Sequence, residues 1–182
     1  MTIFVDASAI VAIVYGETEA DDFADAIEAH NDRLYCAVGA WEAAHAIARL
    51  REVSLHEAAE AVSGFAYEAG LRVVSIGEPE RDEAIRAAAR YGKGSRHPAR
   101  LNMGDCFAYA CAKTNDARLL YKGDDFSKTD LARTTSNLPM RRPGPTPPTG
   151  MGSPSGPRAR QSSGRRMVNC SPRPRPSRSA SA

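Results

Sequence analysis

The sequence predicts an α/β fold, in which a central parallel sheet is flanked by helices, followed by a disordered C-terminal tail. Short β-branched or aromatic runs alternate with longer amphipathic runs through residues 1–132. This alternation is typical of parallel strands joined by helical crossovers. The last 50 residues instead hold 10 of the 12 prolines and have almost no aromatic or β-branched residue after Thr149. Such a composition cannot build an apolar core.

The order of the elements follows from residue periodicity and from capping signals. The first strand, residues 2–5, ends at Asp6, and an apolar run of helical length, residues 7–15, follows it. Further strands are predicted at 33–37, 71–76 and 118–121, and further helices at 17–30, 38–52, 54–68, 80–91 and 102–115. Ser54 and Glu57 form a capping-box pattern, and Gly70 and Gly92 are stop signals for two of these helices.

Charge divides the chain at the same place as composition. Residues 1–132 hold 14 basic and 22 acidic side chains, a net charge of −8, whereas residues 133–182 hold 10 Arg and no acid. We therefore predict a folded domain over 1–132 and an Arg-, Pro- and Ser-rich tail over 133–182. The tail is open to two interpretations: it binds nucleic acid nonspecifically, or it is an inert extension of the kind that a reading-frame shift would produce.

The sequence predicts a cytoplasmic protein with no membrane segment. The longest apolar run, residues 9–15, is far shorter than the roughly 20 residues that cross a bilayer. No basic residue precedes that run, so a secretory signal is not expected. The four cysteines form neither a disulfide framework nor a C-x-x-C pair, which favours a reducing compartment. Cys106 and Cys111 are expected to fill core space.

Three acidic residues stand alone in segments that otherwise carry no charge. Asp6 is the only charged residue in 1–16, Glu42 in 34–48, and Asp105 in 101–112. A lone ionised carboxylate in apolar surroundings costs several kcal/mol unless it is paired or binds a metal. A shared divalent cation removes this cost for all three, and hard carboxylate oxygens suit Mg²⁺ or Mn²⁺. Asp124 or Asp125, directly after the last strand, is the fourth candidate.

Each of these acids also has a purely structural interpretation. Asp6 could cap the helix that begins after it. Asp105 could form a capping box with Asn102, and Glu42 could be an ordinary exposed helix residue. The Gly-Asp-Asp sequence at 123–125 is a good turn in its own right.

Four segments in this order resemble PIN-domain ribonucleases, and most of all the VapC toxins of bacterial type II toxin–antitoxin modules. They are Val5-Asp6-Ala7-Ser8-Ala9, Trp41-Glu42-Ala43, the run from Leu101 to Ala110, and Lys122-Gly123-Asp124-Asp125-Phe126. The likeness extends from Met1 to about Ala132. Ala7 stands where the family more often has Thr or Ser, and these toxins usually end soon after the last motif.

The resemblance implies a three-layer PIN-like domain and a metal-dependent endoribonuclease that hydrolyses phosphodiester bonds of single-stranded or looped RNA. It implies Asp6, Glu42, Asp105 and Asp124 as catalytic residues and ligands of Mg²⁺ or Mn²⁺, supported by Ser8 and Asp125. It also implies a cognate antitoxin and a homodimer, with the antitoxin on an apolar groove near the first helices. Groove residues expected from this are Ile10, Val11 and Val14.

Cations for RNA binding are expected outside the acidic cluster. Lys93, Arg96, His97 and Arg100 crowd the loop before Asp105, where they could contact phosphates. A merely solvated loop is the alternative. His45, on an Ala-rich face, is expected to pack in the core, and Arg49 is expected to pair with Glu42 or contact RNA.

Two other functions fit parts of the sequence. A catalytically inactive PIN-fold binding or regulatory module would use the acids as a structural cation site. A phosphohydrolase or receiver-type domain would use Asp6 as nucleophile. It requires either a second Asp two residues later, where this chain has Ser8, or a late Lys with adjacent early acids, whereas Asp21 and Asp22 lie on a predicted helix.

Overall fold

Residues 1–133, which the computed structural model describes, form a parallel sheet surrounded by helices. The strands are β1 (Thr2–Val5), β2 (Asp32–Cys36), β3 (Arg72–Val74) and β4 (Arg118–Leu120). The helices are α1 (Ala7–Tyr15), α2 (Ala20–Glu28), α3 (Ala37–Arg51), α4 (Leu55–Glu68), α5 (Glu78–Tyr91) and α6 (Met103–Thr114). Two 3₁₀ helices, Phe126–Lys128 and Asp130–Arg133, end this part. Beyond Arg133, the predicted tail lies outside the described residues.

The sheet has the order β3-β2-β1-β4, and every neighbouring pair is parallel. Phe4 of β1 pairs with Leu34 on one side and with Leu119 on the other. The predicted fold class is therefore confirmed. None of the helices within residues 1–133 is long and apolar enough to cross a membrane.

Alternate side chains of the strands enter two separate apolar cores. Ile3 and Val5 pack in the core formed with α1, α2, α3 and α4, whereas Phe4 packs in the core formed with α5 and α6. A strand buried on both faces reads as a continuous apolar run, as β1 does. On α6 the small residues Ala108, Ala110 and Ala112 are almost fully buried, which allows the helix to lie close to its neighbours.

Two predicted elements are shorter in the structure. The helix expected over 17–30 begins only at Ala20, because Gly16 adopts a left-handed conformation (φ 85°) that ends α1 and starts a turn. Strand β3 covers three residues where six were predicted. It lies at the sheet edge, and its only neighbour, β2, ends at Cys36, which pairs with Val74.

The end of the described chain is held against α6 by a small polar network. The Tyr109 hydroxyl donates to Asp130 Oδ1 at 2.6 Å, and Lys113 Nζ donates to the Tyr109 hydroxyl at 2.8 Å. Lys113 also forms an ion pair with Glu83 of α5 at 3.0 Å. Tyr109 is almost fully buried, so its hydrogen bonds satisfy a hydroxyl that is shielded from water.

The predicted capping box at the start of α4 is present. The Ser54 side chain accepts a hydrogen bond from the Glu57 N–H, and Glu57 Oε2 accepts from the Ser54 N–H at 3.0 Å. We expect Ser54→Ala to lower the free energy of unfolding by about 1 kcal/mol, the usual cost of losing such a cap. Urea denaturation followed by circular dichroism measures this difference.

Ser63→Ala is the matched control, because Ser63 lies on the exposed face in the interior of the same helix. Ala is a better helix former than Ser there, so this variant should be as stable as the parent chain or slightly more stable. If Ser54→Ala and Ser63→Ala lowered the free energy of unfolding equally, the assigned cap would be contradicted.

Candidate functional site

The acidic residues meet at the carboxyl edge of the sheet, beside its topological switch. From β1 the chain crosses to β2 on one side, and β4 lies on the other side. Sites of parallel sheets form at this kind of crevice. Asp6 follows β1 directly, Glu42 lies in the second turn of α3, and Asp105 lies in the first turn of α6. Three segments that are distant in sequence thus converge at one place.

Asp6 is held rigidly and is only 5% exposed. Its Oδ2 accepts hydrogen bonds from the Ser8 N–H at 2.9 Å and from the Ser8 hydroxyl at 2.5 Å. The Ser8 hydroxyl oxygen in turn accepts from the Lys122 N–H, just after β4, at 2.9 Å. Asp6 is therefore the N-cap of α1, as the structural interpretation predicted, and it is also fixed to the neighbouring strand.

Glu42 reaches across to the first turn of α6. A Cβ atom built on Gly104 would lie 2.0 Å from Glu42 Oε2 and 2.1 Å from Glu42 Oε1. Only glycine, which has no Cβ atom, leaves this space free for the carboxylate. We call the space beside Gly104 that the Glu42 carboxylate fills the Glu42 seat. The seat lies at a helix N-terminus, where the helix dipole favours a negative charge.

Asp105 forms the predicted capping box with Asn102. The Asn102 N–H donates to Asp105 Oδ2 at 2.7 Å, and the Asp105 N–H donates to Asn102 Oδ1 at 2.9 Å. This cap occupies Oδ2 and leaves Oδ1 for another ligand. The structural and the functional interpretations of Asp105 are therefore compatible with each other.

Burial raises the pKa of all three carboxylates, and neighbouring acids add to this effect at Glu42 and Asp105. Burial, followed by the charges of Asp6 and Asp105, raises the pKa of Glu42 to about 7. Burial raises the pKa of Asp105 as well, and the charges of Asp6 and Asp125 add to this effect. Burial also raises the pKa of Asp6, against the lowering effect of the hydrogen bonds from Ser8. Raised pKa values of this kind are typical of buried carboxylates that share a site.

The carboxylates border one cavity of about 490 Å³. Its lining includes Asp6, Ser8, Val11, Glu17, Trp41, Glu42, His45, Arg49, Asn102, Asp105 and Lys122. As the side chains stand within residues 1–133, no three His, Cys, Asp or Glu residues are close enough to coordinate one ion. The donor set is nevertheless all carboxylate oxygen, which suits Mg²⁺ or Mn²⁺. The acids share a cavity, and a common ion would have to draw them closer together.

The two candidates for the fourth acid differ in their surroundings. Both Asp124 and Asp125 are exposed, in the turn that precedes the first 3₁₀ helix, and neither lines the cavity. The charge of Asp125 raises the pKa of Asp105, whereas that of Asp124 raises the pKa of Tyr121. Asp125 is thus the residue of this pair that acts electrostatically on the cluster, and the assignment of Asp124 stays a prediction.

The basic loop before α6 is closed at its base by backbone hydrogen bonds between Leu101 and residues 91 and 93. Lys93, Arg96 and Arg100 are exposed, and the charge of Lys93 lowers the pKa of Asp105. His97 has a structural contact instead: its ring packs edge-on against Tyr91 at 4.9 Å, and its Nδ1 accepts from the Ala99 N–H. RNA binding by these four residues stays a prediction.

Two predictions about individual side chains were wrong. Ile10 is fully buried in the core, so it cannot contribute to a groove for a partner, although Val11 and Val14 are only half-buried. His45 is half-buried on the cavity wall, where its ring lies 4.2 Å from that of Trp41. The sequence had suggested a core position because the neighbours of His45 are alanines. Trp41 itself was not among the predicted site residues.

Comparisons with known proteins agree with this fold and show the family. A family model described as the PIN domain matches residues 3–131. The chain is 39% identical over 139 residues to VapC ribonuclease R02377 of Rhizobium meliloti (strain 1021), which covers 70% of this chain and 98% of that protein. It is 39% identical over 129 residues to ribonuclease VapC30 of Mycobacterium tuberculosis (strain ATCC 25618 / H37Rv), which covers 70% of this chain and 95% of the relative.

A solved structure supports the same fold. The crystal structure of Mycobacterium tuberculosis VapC20, a Sarcin-Ricin loop cleaving toxin, is similar with a TM-score of 0.54 at 18% identity, and the match covers 69% of this chain and 92% of that chain. The family match extends over more than half of the sequence, and relatives at 39% identity align along nearly their whole length. The chain therefore belongs to the PIN-domain family and, within it, to the VapC-type ribonucleases.

Proposed function

We propose that this protein is a divalent-metal-dependent endoribonuclease that acts as the toxin of a toxin–antitoxin pair. The observation that carries the proposal is the convergence of Asp6, Glu42 and Asp105 on one cavity, where the charges of Asp6 and Asp105 raise the pKa of Glu42 and the charge of Asp6 raises that of Asp105. Structural acids are normally paired with a cation. This cluster instead keeps an excess of negative charge, which a catalytic metal ion would neutralise.

Asp6 and Asp105 are the proposed direct ligands of Mg²⁺ or Mn²⁺, and Glu42 completes the set directly or through water. Either Asp124 or Asp125 would be the fourth acid. The charge of Asp125 raises the pKa of Asp105, which favours Asp125. A metal ion bound there would lower the pKa of a bound water and neutralise charge on the phosphate.

The protein's own groups contribute orientation. Ser8 holds Oδ2 of Asp6 and is itself held by the Lys122 N–H, so the Asp6 carboxylate is locked relative to both β1 and β4. Gly104 leaves the seat in which the Glu42 carboxylate lies beside Asp105. From this position Glu42 would orient the attacking water. Fixed groups of this kind lower the barrier because little reorganisation is needed during the reaction.

The substrate class follows from the family and from the charges around the cavity. The lining carries the three acids of the cluster together with Glu17. RNA phosphates are therefore attracted only once cations have compensated this negative charge. Lys93, Arg96 and Arg100 lie on the exposed loop before α6 and are the proposed phosphate contacts. VapC20 is a Sarcin-Ricin loop cleaving toxin, and a looped or single-stranded RNA is the proposed substrate here as well.

The biological setting is proposed from the VapC-type relatives. A cognate antitoxin would shield the cleft, and the toxin would act as a homodimer in the cytoplasm. Of the groove residues expected from the sequence, Val11 and Val14 keep partial exposure and are the ones to examine for antitoxin contact.

The cluster is tested by removing one charge at a time. We expect Asp6→Asn and Asp105→Asn each to reduce RNA cleavage by about a hundredfold or more, the scale expected for the loss of a charge-stabilising group. The measurement is the cleavage of total RNA by purified protein with Mg²⁺ or Mn²⁺. Asp25→Asn on the exposed face of α2 is the control and should cleave normally. Full activity in both site variants would disprove the assigned cluster, and metal binding without cleavage in the parent protein would favour the inactive binding module.

Gly104→Ala tests the seat of Glu42. An added methyl group would overlap the far end of a flexible side chain, so the carboxylate should move while the fold persists. We expect cleavage to fall about 10- to 100-fold, as for other changes that misplace a ligand. Gly64→Ala is the control, because that helical glycine has open space around it and alanine should stabilise α4 by up to about 1 kcal/mol. Unchanged cleavage by Gly104→Ala would contradict the role assigned to the seat.

Metal binding can be followed through stability, without an activity assay. In the metal-free protein the pKa of Glu42 is raised from 4.5 to about 7. The native state therefore holds a proton that the unfolded state releases, and stability should fall as pH rises between these values. With chelator present, the melting temperature should decline over this range, and less so in Glu42→Gln.

Mg²⁺ should reverse this loss. Because the ion binds the ionised carboxylates, its stabilising effect should be larger near pH 7.5 than near pH 5. The same scan with and without Mg²⁺ measures both effects. If Mg²⁺ raised the melting temperature of Asp6→Asn as much as that of the parent protein, the ion would be bound at a different site.

A further inference from the structure

One wall of the acidic cavity is a stripe of three side chains on α3. Trp41, His45 and Arg49 recur every four residues, which places them on the same helix face, and all three line the cavity. Glu42 lies beside the first of them. The stripe therefore leads outward from the acidic cluster along the helix, over about 12 Å from the first to the last residue at 1.5 Å per residue.

Trp41 lines the cavity and presents a large apolar surface to solvent. It is 58% exposed, because the buried face of α3 is formed by other residues, namely Ala43, Ala44 and Ile47. The ring of His45 lies 4.2 Å from the indole at an interplanar angle of 53°. This contact covers part of the indole, and most of the Trp41 side chain stays exposed.

Arg49 is the free cation of this wall. Within residues 1–133 it makes no hydrogen bond or ion pair, and it is exposed. The other basic residue of the lining, Lys122, is already bound by the carboxylates of Glu17 and Glu19. An arginine left without an acidic partner, beside a cavity rich in acids, is available to a ligand that brings its own negative charge.

We propose that this α3 stripe binds single-stranded RNA, with an unpaired base stacked on Trp41 and a phosphate bound by Arg49. The inference rests on the proposed function and adds to it a binding subsite and a requirement for an unstacked base. Aromatic side chains bind the face of any base, and each such stack contributes about 1–3 kcal/mol. Arginine supplies the contact to the backbone without reading the sequence.

A protein partner could also cover an exposed tryptophan, but the surroundings of Trp41 favour RNA. Contact with a protein would be expected on a broad apolar patch, whereas this aromatic residue is followed by an imidazole and a guanidinium on the same helix face. The stripe also begins next to Glu42, so a base stacked there would place its own phosphate near the acidic cluster.

The chain offers a direct probe, because Trp41 is its only tryptophan. We expect a short single-stranded oligoadenylate to change the fluorescence of the full-length Asp105→Asn variant, which should bind RNA without cutting it. An oligomer of the same length without bases, and a fully paired RNA duplex, should change it much less. A response to the abasic oligomer equal to that of oligoadenylate would overturn base stacking.

Variants separate binding from chemistry. Trp41→Ala should raise KM for cleavage of a single-stranded RNA about 5- to 150-fold, the range that corresponds to one lost stack, with kcat changed much less. Trp41→Phe should have a KM much closer to that of the parent protein than Trp41→Ala has. Arg49→Gln should weaken binding and reduce the salt dependence by about one ionic contact. Tyr67→Ala, which removes an 88% exposed aromatic residue of α4 that does not line the cavity, should leave KM unchanged.

The outcomes distinguish the inference from the function on which it rests. If the parent protein cuts RNA but Trp41→Ala keeps its KM, the stacking site is wrong and the ribonuclease assignment stands. If the parent protein cuts no RNA, a response of Trp41 to single-stranded RNA would still support the site. Fluorescence that depends on protein concentration or on an added antitoxin, and not on RNA, would identify a protein interface and overturn the proposal.

Discussion

The constraint on which this structure depends is the crowding of like charges in a place that water reaches poorly. Three carboxylates border one cavity, and burial together with the charges of Asp6 and Asp105 raises the pKa of Glu42 to about 7. Such an arrangement lowers the stability of the metal-free fold at neutral pH. A protein keeps it only where the charge serves a ligand, and a divalent cation is the ligand that carboxylate oxygens suit.

The fold meets this constraint with local hydrogen bonds that orient two of the three acids. Asp6, held by Ser8, is the N-cap of α1, and Asp105 completes the capping box that Asn102 begins at α6. Both acids also line the cavity. Glu42 has no such cap, and its position depends instead on the missing side chain of Gly104. The parallel sheet brings these three local arrangements together, because β1, the start of α3 and the start of α6 meet at one edge.

Much of this could be predicted from the sequence, because lone acids in apolar segments and alternating strand and helix patterns are local signals. The strand order, the shortness of β3 and the core position of Ile10 depend on tertiary contacts that no local pattern encodes. The seat at Gly104 was missed since it is defined by the partner it accommodates. The spacing of Trp41, His45 and Arg49 was readable as one helix face, but its importance appears only once that face borders the cavity.

The most direct test is anomalous diffraction from crystals of the full chain soaked in Mn²⁺ at neutral pH. The metal-site account predicts at least one manganese peak between the carboxylates of Asp6, Glu42 and Asp105, with their oxygens turned toward it at coordination distance. Crystals of Asp6→Asn grown and soaked in the same way should lose that peak. Ordered carboxylates that point away from one another, with no manganese between them at saturating concentration, would contradict the account.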